Sequence, residues 1–222
     1  MKRIPEPELM DDRMQAEAYA NADFDEAHRH IVEAFDIQFP GIKMEGQILD
    51  IGCGPGDIAF RLARRFPKCS VIGVDGSAEM IRLANERSAR EHALQERVTF
   101  IEGFIPGAPI PEGPYAAIVS NSLLHHLHTP EVLWQTINQY STPGTKLFIA
   151  DLFRPVSKKE ARQLVENYTE GEPDILRRDF YNSLLAAFEP EEIEAQLADA
   201  GLTELSVEKI SDRHLVVFGV KG

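Results

Sequence analysis

Three glycines at alternate positions, Gly52, Gly54 and Gly56, follow the apolar run Ile48-Leu49-Asp50-Ile51. Such a run reads as a strand, and the glycines let the backbone turn tightly and approach a ligand closely where the next helix begins. Which ligand depends on spacing and charge. A dinucleotide loop follows G-x-G-x-x-G, but here the third glycine comes one residue early and Asp57 stands where that fingerprint wants glycine. Asp50, two residues before the first glycine, would repel a pyrophosphate and attract an ammonium or a sulfonium. The loop therefore suits a cationic ligand. Asp75 ends a second apolar run about 20 residues further on, where a carboxylate can accept two hydrogen bonds from a diol. The same residue also reads as an Asx turn before Ser77.

His125, His126 and His128 follow the fourth apolar run. A parallel sheet places its active site at that edge, and imidazole has the pKa range of a general base, so His125 and His126 are the catalytic candidates. They read equally well as residues that cap or pack the start of the next helix. Neighbouring histidines project in different directions and spacing fixes no acidic partner, so no metal is expected. Asp151 and Arg154, after the fifth strand, are candidate contacts for a polar acceptor, and also read as a surface ion pair or turn. Tyr181 lies in the charged and aromatic stretch Arg177–Ser183 and is a third such candidate, although an ordinary amphipathic helix explains that stretch too.

The elements that must position these residues alternate between two periods. Strands are expected at Gln47–Ile51, Ser70–Asp75, Val98–Glu102, Ala116–Ser120 and Lys146–Ala150. Between them run helices with Ile58, Leu62 and Phe66 on one face, then Ala78–Ala93, then a helix with Thr129 at its N-cap and Pro130 at its first position. Four prolines and two glycines make Ile105–Pro114 a loop. Phe24, Ala27, Ile31 and Phe35 share a helix face in the first 45 residues, which read as an N-terminal cap. Polar helices at Glu160–Tyr168 and Asp179–Phe188 interrupt the alternation as a lid. A helix from Pro190 to Gly201 follows, and Leu202–Ile210 and His214–Val220 close the chain as an antiparallel hairpin.

The pattern implies an α/β chain of Rossmann-like, doubly wound architecture: a mostly parallel seven-stranded sheet with an antiparallel C-terminal hairpin. One domain is expected over 1–222, divided into a helical cap (1–45), a ligand-binding core (46–153), a helical insertion (154–189) and a final helix with the hairpin (190–222). The 222 residues carry a formal charge of −13, which disfavours a nucleic-acid partner. No apolar run reaches the roughly 20 residues of a membrane span, and the N-terminus lacks the apolar core of a signal peptide. Cys53 and Cys69 are too few for a disulfide framework, so both read as free thiols in a cytoplasmic protein. Self-association into a homo-oligomer stays open.

Asp50-Ile51-Gly52-Cys53-Gly54-Pro55-Gly56 resembles the first motif of class I S-adenosylmethionine-dependent methyltransferases. Val71–Met80 resembles their second-strand segment, and Ile118–Leu127 and Pro143–Asp151 extend the likeness over about 47–151. The likeness is greatest to the small-molecule branch that includes ubiquinone/menaquinone C-methyltransferase-like enzymes. It implies transfer of a methyl group from S-adenosyl-L-methionine to a small-molecule acceptor. The cofactor-binding positions it implies are Tyr19, Asp50, Gly52, Cys53, Gly54, Gly56, Asp75, Gly76, Met80, Gly103, Phe104, Asn121 and Ser122. Of these, Asp75 would take the ribose hydroxyls, and Tyr19 with Phe24 would cover the methionine end. One position departs from the family pattern. Gly103-Phe104 replaces the usual Gly-Asp, which implies that adenine stacks on Phe104 and bonds only to backbone. Asn121-Ser122-Leu123-Leu124 stands where amino methylases of adenine or glutamine carry Asn-Pro-Pro-Tyr, which disfavours those acceptors. The alternatives are an NAD-dependent oxidoreductase on the same sheet and a non-catalytic S-adenosylmethionine-binding module.

Overall fold

The computed structural model describes residues 1–7, 9 and 12–222. Glu8, Met10 and Asp11, inside the stretch read as the cap, lie outside the described residues. Seven strands form one sheet in the order β3-β2-β1-β4-β5-β7-β6. They are β1 (Gly46–Ile51), β2 (Cys69–Asp75), β3 (Val98–Glu102), β4 (Tyr115–Asn121), β5 (Lys146–Leu152), β6 (Ser206–Lys209) and β7 (His214–Val220). The first five pair in parallel, and β7 runs antiparallel between β5 and β6. The order reverses between β1 and β4, and such a switch point opens a crevice beyond the carboxyl ends of the strands.

Helices α3 (Asp57–Arg65), α4 (Ala78–Ser88), α5 (Glu131–Tyr140) and α8 (Pro190–Asp199) cover the sheet. Their apolar faces build two cores, one centred on Leu49, Ile118, Trp134 and Ile149, the other on Ile48, Phe60, Phe35 and Phe148. Consecutive residues of β1 thus feed opposite sides, as a strand buried on both faces must. The N-terminal part is two helices, α1 (Arg13–Asn21) and α2 (Asp25–Gln38), with Phe24 as the N-cap of α2 rather than a member of its buried stripe. Helices α6 (Lys158–Tyr168) and α7 (Asp174–Ala186) form a third, smaller core with Leu152, Leu164 and Leu184.

Several boundaries differ from the sequence expectation for identifiable reasons. Helix α4 stops at Ser88, not Ala93, because buried Leu94 turns the chain into the core and bonds back to Glu91. Helix α5 starts at Glu131 with Pro130 as its N-cap, one residue later than expected. The last turn before Phe188 is lost from α7, since Phe188 pairs with Phe153 as a β-bridge. Leu202 and Leu205 bury their side chains instead of pairing, leaving β6 a short edge strand of the kind that resists association. Among the described residues, no helix is long and apolar enough to cross a membrane.

Candidate active site

The crevice at the β1/β4 switch point widens into a cavity of about 1220 Å³. At its floor β1 ends in the glycine turn, where the Gly52 and Cys53 amides both donate to the Val74 carbonyl, at 2.7 and 3.0 Å. All three glycines have positive φ, but they serve different ends. A Cβ on Gly54 would meet nothing within 4 Å, so this residue faces open space that a ligand can enter. A Cβ on Gly52 would press on Leu123, and one on Gly56 would stand 2.5 Å from the Phe100 ring. Gly56 is the N-cap of α3 and is absent from the cavity wall, so it serves helix–sheet packing.

Two carboxylates define the electrostatics of the turn. Asp75 Oδ2 accepts from the Gly54 amide and Oδ1 from the Ser77 amide, each at 2.8 Å. The Asx turn read from sequence is therefore present, and it orients the carboxylate. These two bonds fix the orientation of a carboxylate that lines the cavity. Asp50 is 1% exposed, and neither of its oxygens has a hydrogen-bond partner among the described residues. Burial, aided by the Asp75 charge, pushes its carboxyl up to about 7. A buried unpartnered carboxylate facing a cavity is a strong attractor for a cation.

The walls follow from neighbouring elements. Ser77 caps α4 and brings Met80 to the cavity, while Gly76 lets the Phe104 ring lie against the backbone, 3.2 Å from where a Cβ would be. Phe104 is 62% exposed at this rim, an unusual state for a phenyl ring and one that leaves a face for stacking. Gly103, Cys53, Asn121 and Ser122 also line the cavity, Ser122 with a φ of 57°. From the cap come Tyr19 and Phe24, whose rings pack 4.9 Å apart. Burial, then the Asp57, Asp75 and Asp151 charges, push the Tyr19 hydroxyl up to about 12, so it remains a donor.

His125 and His126 sit in a 3-10 turn after β4, both on the cavity wall. His125 is buried with its Nδ1 at 2.5 Å from Asp151 Oδ1, and Asp151 also accepts the Leu152 amide. Burial alone would lower the His125 pKa, but Asp151 and Glu6 outweigh it and hold it above its ordinary value. Asp151 correspondingly lies below the usual carboxylate range, because the imidazole overcomes its burial. His126, buried beside that charge, is pushed down to about 3 and is neutral. Asp151 thus acts through His125 and does not itself line the cavity.

Arg154 and Tyr181 also lie outside the cavity wall. The buried Arg154 guanidinium is held by Glu189, Glu192 and the Ala187 carbonyl, tying β5 to α8. Tyr181 packs on the α6/α7 core and a shallow surface depression. Sequence reading passed over Glu6, whose carboxylate reaches both histidines from the N-terminal strap. It also passed over Asp57 as more than a fingerprint mismatch. Asp57 accepts from His28, Arg61 and Arg87, which together overcome its burial and hold its carboxyl very low, and it tethers α2 to the glycine turn.

A family model described as a methyltransferase domain matches residues 48–144. The carrying features, Asp50, the glycine turn, Asp75 and the 3-10 turn, all fall inside that match. Over those residues the chain is similar to methyltransferase domains. Over 121 residues it is 31% identical to a 2-phytyl-1,4-naphtoquinone methyltransferase of Nostoc punctiforme, covering 54% of this chain and 52% of that protein. An uncharacterized methyltransferase of Mycobacterium bovis is 32% identical over 108 residues, 49% of this chain and 51% of the relative. The chain thus spans about half the length of the curated relatives it matches. In fold, the chain is similar to the plantazolicin methyltransferase BpumL in complex with SAH, with a TM-score of 0.72 and 18% identity. That likeness covers 96% of this chain and 91% of the other. A methyltransferase from Methanococcus maripaludis gives 0.72 at 19% identity over 99% and 98%. The sheet, its closing hairpin and the surrounding helices agree with the architecture expected from sequence. The site fits a cationic nucleoside: Asp50 offers two oxygens without partners among the described residues, Gly54 opens onto space, and Asp75 is oriented beside the glycine turn.

Proposed function

We propose that this chain transfers the methyl group of S-adenosylmethionine to a small-molecule acceptor. The observation that carries the reading is Asp50, a buried carboxylate with no partner at the mouth of a glycine turn that opens onto a cavity. Bound there, S-adenosylmethionine would supply an electrophilic sulfonium methyl carbon for in-line attack by the acceptor's nucleophile, with the neutral thioether as leaving group. Asp50 attracts the cationic methionine end, the Gly54 backbone admits it, and Asp75 accepts the ribose hydroxyls. Phe104 stacks on the adenine, taking the place of the carboxylate that the family carries there. Tyr19 and Phe24 close over the methionine end and exclude water.

The acceptor enters from the side walled by α2 and α7, where Ile31, Ile37, Leu176 and Phe180 present apolar surface. Its polar atom meets His125 and His126, with Asp151 fixing the His125 ring. A cavity with apolar as well as polar walls suits a small organic molecule such as the naphthoquinone of the Nostoc relative, and a charge of −13 disfavours nucleic acid. The two free buried cysteines, Cys53 and Cys69, support a reducing, cytoplasmic setting. The test is calorimetric titration with S-adenosylmethionine, followed by incubation of the methyl-labelled cofactor with phenols, quinols and amines. Saturable binding and label transfer to one class are expected; failure to bind the cofactor overturns the reading.

A further inference from the structure

The N-terminal strap does more than cover the site. Arg3 donates to the Ala186, His125 and Leu127 carbonyls and stacks on Phe188, so residues 1–7 are anchored across the end of α7 and the 3-10 turn. This brings the Glu6 carboxylate to the two cavity-lining histidines. Glu6 Oε1 lies 3.6 Å from His125 Nε2 and 3.3 Å from His126 Nδ1. Neither contact is a hydrogen bond, and both Glu6 Oε1 and His126 Nδ1 are buried with no hydrogen-bond partner among the described residues. Glu6 is only 9% exposed on its side chain, so water does not satisfy it either.

The spacing discriminates between occupants. Ligands on a four-coordinate zinc, bound at about 2.0–2.2 Å in tetrahedral geometry, stand roughly 3.3–3.6 Å apart. A water held at about 2.8 Å by two atoms only 3.3 Å apart would subtend about 70°, far from the tetrahedral angle it prefers. We propose that Glu6, His125 and His126 form a divalent-metal site of the His2Glu type, with zinc as the fitting ion. The three ligating atoms all lie within 4.8 Å of one another.

An outer partner already orients one ligand, His125, as metal sites commonly require. Asp151 accepts from His125 Nδ1, which leaves Nε2 as the ligand. Among the described residues, the charged groups near the trio include Asp151 and Asp179, whose negative charge favours a cation, and Arg3, which opposes it. His128 plays no part, since its Nε2 donates to the Glu6 carbonyl. The expectation of no metal rested on the lack of an acidic partner at a fixed spacing, and the strap supplies one from far away in sequence. Three protein ligands leave the fourth position to the cavity, where it takes water or an oxygen of the acceptor. That role rests on the methyltransferase reading; metal binding itself does not.

The test strips the full-length chain with chelator and titrates it with zinc, then with cobalt(II), whose visible spectrum reports coordination number. One zinc per chain and an intense four-coordinate cobalt band are expected. Glu6→Gln and His126→Ala should each weaken zinc binding at least 100-fold, Asp151→Asn by 10- to 100-fold, and His128→Ala not at all. Each variant is checked for S-adenosylhomocysteine binding, which certifies the fold without using the trio. Absence of stoichiometric metal from a chain that binds S-adenosylhomocysteine, or undiminished binding in both Glu6→Gln and His126→Ala, overturns the proposal. Metal uptake without S-adenosylhomocysteine binding would instead sustain the metal site and remove the methyltransferase reading.

Discussion

Replacing Asp50 by Asn keeps the shape of the side chain and removes its charge, and the consequence for stability depends on pH. Burial raises the Asp50 carboxyl from 3.8 to about 7. The folded chain therefore binds this proton more tightly than the unfolded chain. Its folding free energy is undiminished below pH 3.8 and falls progressively as pH rises to 7. A displacement of about three pH units corresponds to roughly 4 kcal/mol, reached in full above pH 7. Asn escapes that penalty but leaves its amide without partners, at a cost of about 1–3 kcal/mol. At pH 8 the ligand-free Asp50→Asn chain should be more stable than the parent by roughly 1–3 kcal/mol, a rise in Tm of several degrees for a chain of this size. At pH 5, where the parent carboxyl is protonated when folded, the two should nearly coincide. Differential scanning calorimetry at pH 5, 6.5 and 8 without ligand reads the difference directly. A gap between parent and variant that stays constant over this range would refute the claim that Asp50 is a buried, unpartnered acid. The same substitution should weaken S-adenosylmethionine binding, so stability at pH 8 and affinity move in opposite directions.

Other outcomes follow from individual contacts. Gly56→Ala places a methyl 2.5 Å from Phe100 at a positive φ and should cost several kcal/mol by urea denaturation. Gly54→Ala meets nothing and should cost only about 1 kcal/mol, yet weaken the cofactor in calorimetry. Phe104→Ala should weaken S-adenosylhomocysteine by about 1–3 kcal/mol, the range for a base stacked on an aromatic ring, with little change in Tm. Arg154→Ala leaves the Ala187 carbonyl and two carboxylates without their donor and should destabilise by about 2–4 kcal/mol while sparing cofactor affinity.

Most of what is local in the chain was legible in its order. The strand–turn–helix around Asp50 and the Asx turn at Asp75 are written in adjacent residues, and the doubly wound sheet follows from alternating periods. What could not be read depends on contacts between distant residues. Gly56 looks like its neighbours at 52 and 54, and only the approach of Phe100 distinguishes packing from ligand access. Arg154 carries the same charge whether it faces an acceptor or Glu189 and Glu192, and the ion pairs decide. Glu6 stands 119 positions before His125, so no spacing rule could join them; the Arg3 hydrogen bonds do. Boundaries moved for a similar reason, as at Leu94, where tertiary burial overrode a continuing helical pattern.

The central claim is that the glycine turn and Asp75 hold a ribosylated cation, and titration of Asp75→Ala with S-adenosylhomocysteine and S-adenosylmethionine tests it most directly. Two hydrogen bonds to a charged acceptor contribute about 1.5–3 kcal/mol each, so the loss should exceed 100-fold for both ligands. Binding of either ligand by Asp75→Ala as tightly as by the parent chain would contradict the account.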